Sequence, residues 1–216
     1  MKTQEIQLLG AENPSTRLQA VLRVGTVADP AVVDELVARC AVEPDFFVRD
    51  MLTWALVRLP AELTIPRLRA ELDSERAQAR SQALHTLSKI KESTTWQAIK
   101  GLLRDPDDEV ARTAWRTAVI LVPDEEKSWL AAELAAELGR GDRSLQLSLS
   151  RVLVDLGEIV EPVLRTAAAS ENPKIRAHAR ATEILLDDPD AAFDLAVGEA
   201  KRVIALDPEQ VKKTAC

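Results

Sequence analysis

Two apolar registers repeat along this chain with a fixed phase, and few folds can satisfy both. One register begins at Thr16, Val48, Ala79, Val110, Leu145 and Ile175, at spacings of 32, 31, 31, 35 and 30 residues. Four residues on, a small or aliphatic side chain recurs at Ala20, Leu52, Ala83, Ala114, Leu149 and Ala179. After four more stand Val24, Leu56, Leu87, Ala118 and Leu153, with Glu183 breaking the row in the last copy. Positions 0, 4 and 8 share one side of an α-helix, so each copy predicts an amphipathic helix. The second register is anchored at Leu36, Leu68, Ile99, Leu134 and Leu164, followed four residues later by Cys40, Leu72, Leu103, Leu138 and Ala168. Its distance to the next start is 12 residues once and 11 four times. The unit is therefore a helical hairpin, a first helix and a second joined by a short turn.

The punctuation agrees with this phase. Pro44-Asp45, Asp73-Ser74, Arg104 to Asp107, Gly139 to Asp142 and Glu171 to Pro173 fall between the two helices of a hairpin. Asp, Asn and Ser side chains accept the unpaired N–H groups that open a helix. Proline suits the first helical turn, where no N–H is needed. Pro66 and Pro162 stand two residues before their anchors, and Pro30, Pro60, Pro123 and Pro189 separate the units. Composition points the same way. Apolar content is 46%, but aromatic residues are 3%, Tyr is absent and Gly numbers 7. Strands favour aromatic and β-branched residues, whereas Ala, Leu, Glu and Arg favour helices.

With units of 30 to 35 residues, the chain resembles the HEAT-repeat family, in its short bacterial, phycobilisome-lyase-like form. The resemblance rests on the aliphatic-Arg start of the second helix and the Asp/Pro-rich turn, best seen at Leu102 to Val110 and at Asn172 to Arg176. It covers nearly the whole chain. It implies an all-α, right-handed α-solenoid of about five to six stacked hairpins with capping helices, the second helices lining the concave side. The chain then reads as one domain over 1–216, with units 1–28, 29–60, 61–91, 92–122, 123–157 and 158–188 and a C-terminal cap at 189–208. Repeat arrays need terminal units with a polar outer face. The 35-residue unit carries about one extra helical turn near Glu125 to Leu138.

Equal offsets on stacked helices bring side chains side by side. Six residues after the starts stand Leu22, Trp54, His85, Arg116, Arg151 and Ala181, and two after stand Leu18, Asp50, Ser81, Arg112, Leu147 and Ala177. Asp50, Trp54, His85, Arg112, Arg116 and Arg151 are therefore the expected floor of the concave groove. Arg and Trp together suit protein recognition. The alternative for Trp54 and His85 is packing between hairpins. Arg17, Arg49, Arg80 and Arg176, beside the starts, are expected to be structural and to pair with turn aspartates of neighbouring units. Trp96 and Trp129 fit core or inter-helix packing, and Trp115 fits either the core edge or the groove.

Catalytic patterns are missing. His85 and His178 lie in different repeats, no P-loop, GxSxG or CxxC occurs, and no metal or cofactor is expected. Cys40 sits on an apolar helical face as a small core residue, and Cys216 ends the chain. A net charge of −7 disfavours a nucleic-acid surface, which needs cations to displace counterions. No apolar run approaches the ~20 residues of a membrane span, and residues 1–10 read as no signal peptide. The expected function is that of a non-catalytic, cytoplasmic interaction module, its concave groove holding a protein segment or peptide. Two alternatives come from the family: an alkylpurine DNA glycosylase using Asp50, Trp54, Arg112 and Trp115, and a lyase or chaperone-like assembly factor.

Overall fold

The second helices start where the repeat says they should, because their caps recur at one position. In this computed structural model, which describes residues 2–188, Asn13, Asp45, Asp107, Asp142 and Asn172 each stand three residues before a repeat start. Each accepts a helix-opening backbone N–H through its side chain. The exception is Arg76, whose side chain makes no cap; its own N–H donates to Ser74 Oγ at 3.3 Å. The expected cap at 189–208 and Cys216 lie outside the described residues.

The helices, in order, are α1 (Lys2–Leu8), α2 (Pro14–Val27), α3 (Val33–Cys40), α4 (Phe46–Val57), α5 (Ala61–Glu71), α6 (Ala77–Ile90), α7 (Trp96–Ile99), α8 (Asp108–Leu121), α9 (Lys127–Ala135), α10 (Arg143–Asp155), α11 (Glu161–Ala168) and α12 (Pro173–Asp187). Among the described residues there is no strand. The all-α solenoid of stacked hairpins, consistent with HEAT-like repeats, holds. The described residues fall into two compact units, divided between Leu134 and Ala135. In the first, α2, α4, α6 and α8 stack in sequence, and α3 and α5 pack together as a first-helix layer. In the second, α12 packs on both α10 and α11.

Both registers form the cores. Leu36, Leu68, Ile99, Leu134 and Leu164 are all buried, as are Leu52, Ala83, Ala114, Leu149 and Ala179. Alanine at the second-helix positions lets neighbouring backbones approach closely. One approach is closer still: a Cβ on Gly25 would fall 2.3 Å from the Trp54 ring. The longer unit also holds to expectation. Helical structure begins ten residues before Leu134, at Asp124, against six before Leu36 and Ile99. Pro66 and Pro162 are less alike than their spacing predicts. Pro162 falls in the first turn of α11, whereas Pro66 lies inside α5.

The arginines beside the repeat starts obey a rule narrower than expected. Arg17, Arg49, Arg80 and Arg176 each turn Nη1 back to two carbonyls of their own hairpin's turn, five and six residues earlier. Only Arg17 and Arg80 also clasp a carboxylate of the next hairpin. Arg17 donates to Glu43 through Nε at 2.8 Å and Nη2 at 2.6 Å. Arg80 donates to Asp105 through the same atoms at 2.8 and 2.9 Å. Both carboxylates stand five residues before a repeat start. Ala11, Ser74, Arg140 and Ser170 occupy that position elsewhere, so a general aspartate ladder does not form.

Candidate functional site

Helices α4, α6 and α8 each keep one stripe out of the packing. The stripe reads Asp50 and Trp54 on α4 with Arg58 at its C-cap, then Ser81, His85, Lys89 on α6, then Arg112, Arg116, Ile120 on α8; all are exposed or partly exposed. Residues four apart share a helix face, and the three stripes match in register. Leu18, Leu22 and Thr26 extend them onto α2. Five of the six residues expected from the sequence belong here. Arg151 is exposed on α10 and belongs to the second unit.

Electrostatics tie the stripes together. Burial lowers the His85 pKa from its ordinary value, Lys89 lowers it further, Asp50 opposes the shift and Arg116 adds to it. His85 thus feels a charge from each of the three helices. Arg112 meets Glu109 one turn earlier at 3.3 Å. Its side chain is 21% exposed, and its Nε donates to no group among the described residues. At the C-cap of α4, Arg58 lies 5.1 Å over the Trp54 ring and donates to the Gly25 carbonyl at 2.8 Å. Trp54 is therefore a half-buried wedge between α2 and α4, with its cation already on its face.

Equal offsets from the repeat starts miss Arg58 and Lys89, although the signal is present. Each lies one helical turn beyond a residue that the offsets pick out. The tryptophans divide between core and surface. Trp115 is fully buried and donates through Nε1 to the Leu103 carbonyl at 2.8 Å. It cannot line an exposed cleft, which removes one member of the glycosylase-like set. Trp96 is buried as expected, but Trp129 is 40% exposed. Their rings meet edge to face at 6.0 Å, with the Lys100 ammonium 5.2 and 4.5 Å from the two centroids and paired with Glu126. Phe46 and Phe47, both exposed, form another aromatic pair at the start of α4.

The remaining chemistry is quiet. Burial pushes the Cys40 thiol up to about 12, leaving it a small core residue rather than a nucleophile. Among the described residues no cluster of three or more His, Cys, Asp or Glu could hold a metal ion. No helix among them is long and apolar enough to cross a membrane. His178 is locked in the second unit: Nδ1 accepts from the Gly139 N–H at 2.9 Å, and Nε2 faces Ser150 Oγ at 3.0 Å and the Gln146 carbonyl at 2.9 Å.

No protein-family model matches the chain, and no curated protein matches it. Solved structures do. Two engineered proteins of the Northeast Structural Genomics Consortium are similar, one at 16% identity and TM-score 0.48, the other at 18% and 0.46. Each alignment covers 85% of this chain, and 96% or 94% of the engineered one.

Proposed function

We propose that the chain is a non-catalytic interaction module and that the outward stripes of α4, α6 and α8 bind a protein segment or peptide. Helical solenoids are of the general kind used as protein–protein scaffolds, but fold alone assigns no activity. The observation that carries the reading is the juxtaposition on one face of Trp54, His85, Asp50 and several arginines. Arg151, on α10 of the second unit, is a further candidate binding residue of that unit. Within this reading the chain is a HEAT-repeat protein of the short bacterial, phycobilisome-lyase-like form, working in the cytoplasm. That kinship rests on the repeat period and turn residues.

Site-specific photo-crosslinking in a native extract tests the surface. A photoreactive residue at Asp50 is expected to give discrete protein adducts. The same residue at Arg69, exposed on first-layer helix α5, is expected to give none. Adducts from Arg69 alone would move the surface to the first-helix layer.

A further inference from the structure

The charge on this face departs from that of the chain. The sequence carries 35 acidic residues against 28 Lys and Arg. The nine stripe positions of α4, α6 and α8 hold four cations, Arg58, Lys89, Arg112 and Arg116, and one carboxylate, Asp50. Glu109, one turn before Arg112, is a second acidic neighbour and contacts it at 3.3 Å with a largely exposed side chain. The cations are also graded. Asp50 stands at the α4 end, and Arg112 and Arg116 stand together on α8. Beside Trp54, on α2, the face is uncharged and partly apolar, through Leu18 and Leu22.

Arg112 can be compared with Arg17 and Arg80, two other arginines of the second-helix layer. Each of those commits its Nε and Nη2 edge to one carboxylate, in the paired geometry that makes guanidinium–carboxylate recognition strong. Arg112 has only the longer contact through Nη1, and its Nε–H is unpartnered. Its Nε is itself buried, while the side chain as a whole is 21% exposed, so what it offers a partner is its outer Nη groups. Lys89 is exposed one turn from His85.

From this we infer that the α4–α6–α8 face is a carboxylate-binding surface, and that its partner is an acidic protein segment whose glutamate or aspartate side chains meet Arg112, Arg116 and Lys89 and whose apolar end lies toward Trp54 and Leu22. The inference rests on the protein-binding reading above and specifies its chemistry. A protein segment fits better than a nucleic acid. Four cations next to Asp50 and Glu109 make a short mixed patch, whereas nucleic-acid affinity comes from a continuous run of phosphate contacts.

The two histidines supply a test in which the natural partner need not be identified. The 216 residues contain two, His85 on this face and His178 in the second unit. Their imidazole resonances are followed by NMR against pH, at low ionic strength, with and without a blocked hexaglutamate peptide. Anions brought to Lys89 and Arg116 offset the cations that depress His85, so its titration moves upward while that of His178 stays put. Peptide affinity is expected to fall about tenfold in Arg112→Gln/Lys89→Gln, the loss of about 1.4 kcal/mol. It is expected to be unchanged in Arg69→Gln, a control for net charge. A His85 titration that does not respond to hexaglutamate overturns the inference. A response to a single-stranded oligonucleotide but not to hexaglutamate overturns it in favour of phosphate recognition. Crosslinks at Asp50 with a silent hexaglutamate titration would leave the protein-binding surface standing and remove only its acidic specificity. Absence of both would remove the surface as well.

Discussion

The two units hold their hairpins together with different chemistry. In the first, buried ions are added to neutral contacts such as Thr53 Oγ1 with Thr86 Oγ1 at 3.3 Å and Thr117 Oγ1 to the Leu84 carbonyl at 3.2 Å. Glu43 is wholly buried and accepts from Arg17, from Arg39 Nε at 2.8 Å and from the Asp45 N–H at 2.9 Å, while its carbonyl accepts from Arg49 and from Gln78. One residue thereby links three hairpins. In the second unit a neutral network does the same task. His178 Nδ1 accepts from Gly139, so the proton resides on Nε2, facing the Gln146 carbonyl and Ser150. Thr182 Oγ1 donates to the His178 carbonyl, which leaves Ser150 to donate to Thr182 at 2.8 Å. Solenoid stacking evidently requires only that each buried polar group be matched, since either an ion pair or a hydroxyl–imidazole chain satisfies that condition. The two solutions differ in what breaks them.

Removing a partner from the ionic clasp is expected to be the costliest change. Glu43→Ala strands Arg17, which is 5% exposed, and a buried charge without its partner costs about 3–5 kcal/mol. Asp105→Ala strands Arg80 in the same way, with a smaller effect because that side chain is 13% exposed. Urea denaturation followed by tryptophan emission reads this out cleanly, because all four tryptophans lie in the first unit. If Glu43→Ala melts like the parent, the ion clasp contributes nothing that the apolar core does not already provide.

Core truncation separates the units. Ile99→Ala in the first and Leu164→Ala in the second each remove a wholly buried anchor, at about 2–5 kcal/mol apiece. Ile99→Ala is expected to shift the emission transition. Leu164→Ala is expected to shift far-UV circular dichroism while leaving emission in place. Coincident shifts in both variants would mean that the two units unfold as one. In Ala114→Leu overpacking replaces a cavity, at about 1–3 kcal/mol.

Sequence patterning makes the cores legible and the clasps only partly so. Each apolar anchor is repeated five or six times, and repetition exposes the phase. The caps at Asn13, Asp45, Asp107, Asp142 and Asn172 recur for the same reason. The clasps depend on a coincidence between two hairpins: an arginine just after one start and a carboxylate five residues before the next. That occurs at Arg17 with Glu43 and at Arg80 with Asp105, but not at Arg49, which meets Ser74 at the corresponding position. The arginines alone suggest a continuous ladder. The site shows a related limit. Offsets place Asp50, Trp54, His85, Arg112 and Arg116 on one face, yet whether a side chain on that face is open or engaged depends on its size and neighbours. Trp54 is engaged because Gly25 leaves room for its ring.

Acid should distinguish the two kinds of clasp. Burial holds the His178 pKa below its ordinary value, with the hydrogen bond to the Gln146 carbonyl opposing the shift. A depressed folded-state pKa means that the unfolded chain takes up the proton first. The contribution of His178 is therefore complete above about pH 6.5 and is lost as pH falls below it. Protonation also converts Nδ1 to a donor, facing the Gly139 N–H. In the first unit, burial alone would raise the Glu43 carboxyl, but Arg17, the Asp45 N–H and Arg39 hold it below its usual range. That contribution is present above about pH 4.3 and is lost only as pH falls further. His85, also depressed, adds an acid response to the first unit, so the comparison is made in His85→Gln. Between about pH 6.5 and about pH 5 the second unit is expected to weaken in that variant while the first holds. His178→Ala, which leaves the Gly139 N–H and Ser150 without their partner, should cost about 1–3 kcal/mol at neutral pH and abolish the difference.

The smallest effect tests what the two units have in common. Arg49 in the first and Arg176 in the second make the same local contact and no carboxylate clasp. Arg49 Nη1 donates to the Glu43 and Pro44 carbonyls at 2.8 Å each, and Arg176 Nη1 to the Ser170 and Glu171 carbonyls at 2.7 and 3.3 Å. The buried Glu43 carbonyl keeps its bond from Gln78, and Pro44, Ser170 and Glu171 are exposed or partly exposed, so little is stranded. Arg49→Ala and Arg176→Ala should each cost about 0.5–1.5 kcal/mol, the usual net value of a hydrogen bond. Arg80→Ala should cost more, because Asp105 is left buried without its cation. Denaturation midpoints of the three variants in one buffer decide between a local and a cross-hairpin role. Equal losses at Arg49 and Arg80 would show that turn closure, common to both units, outweighs the carboxylate that sets the first unit apart.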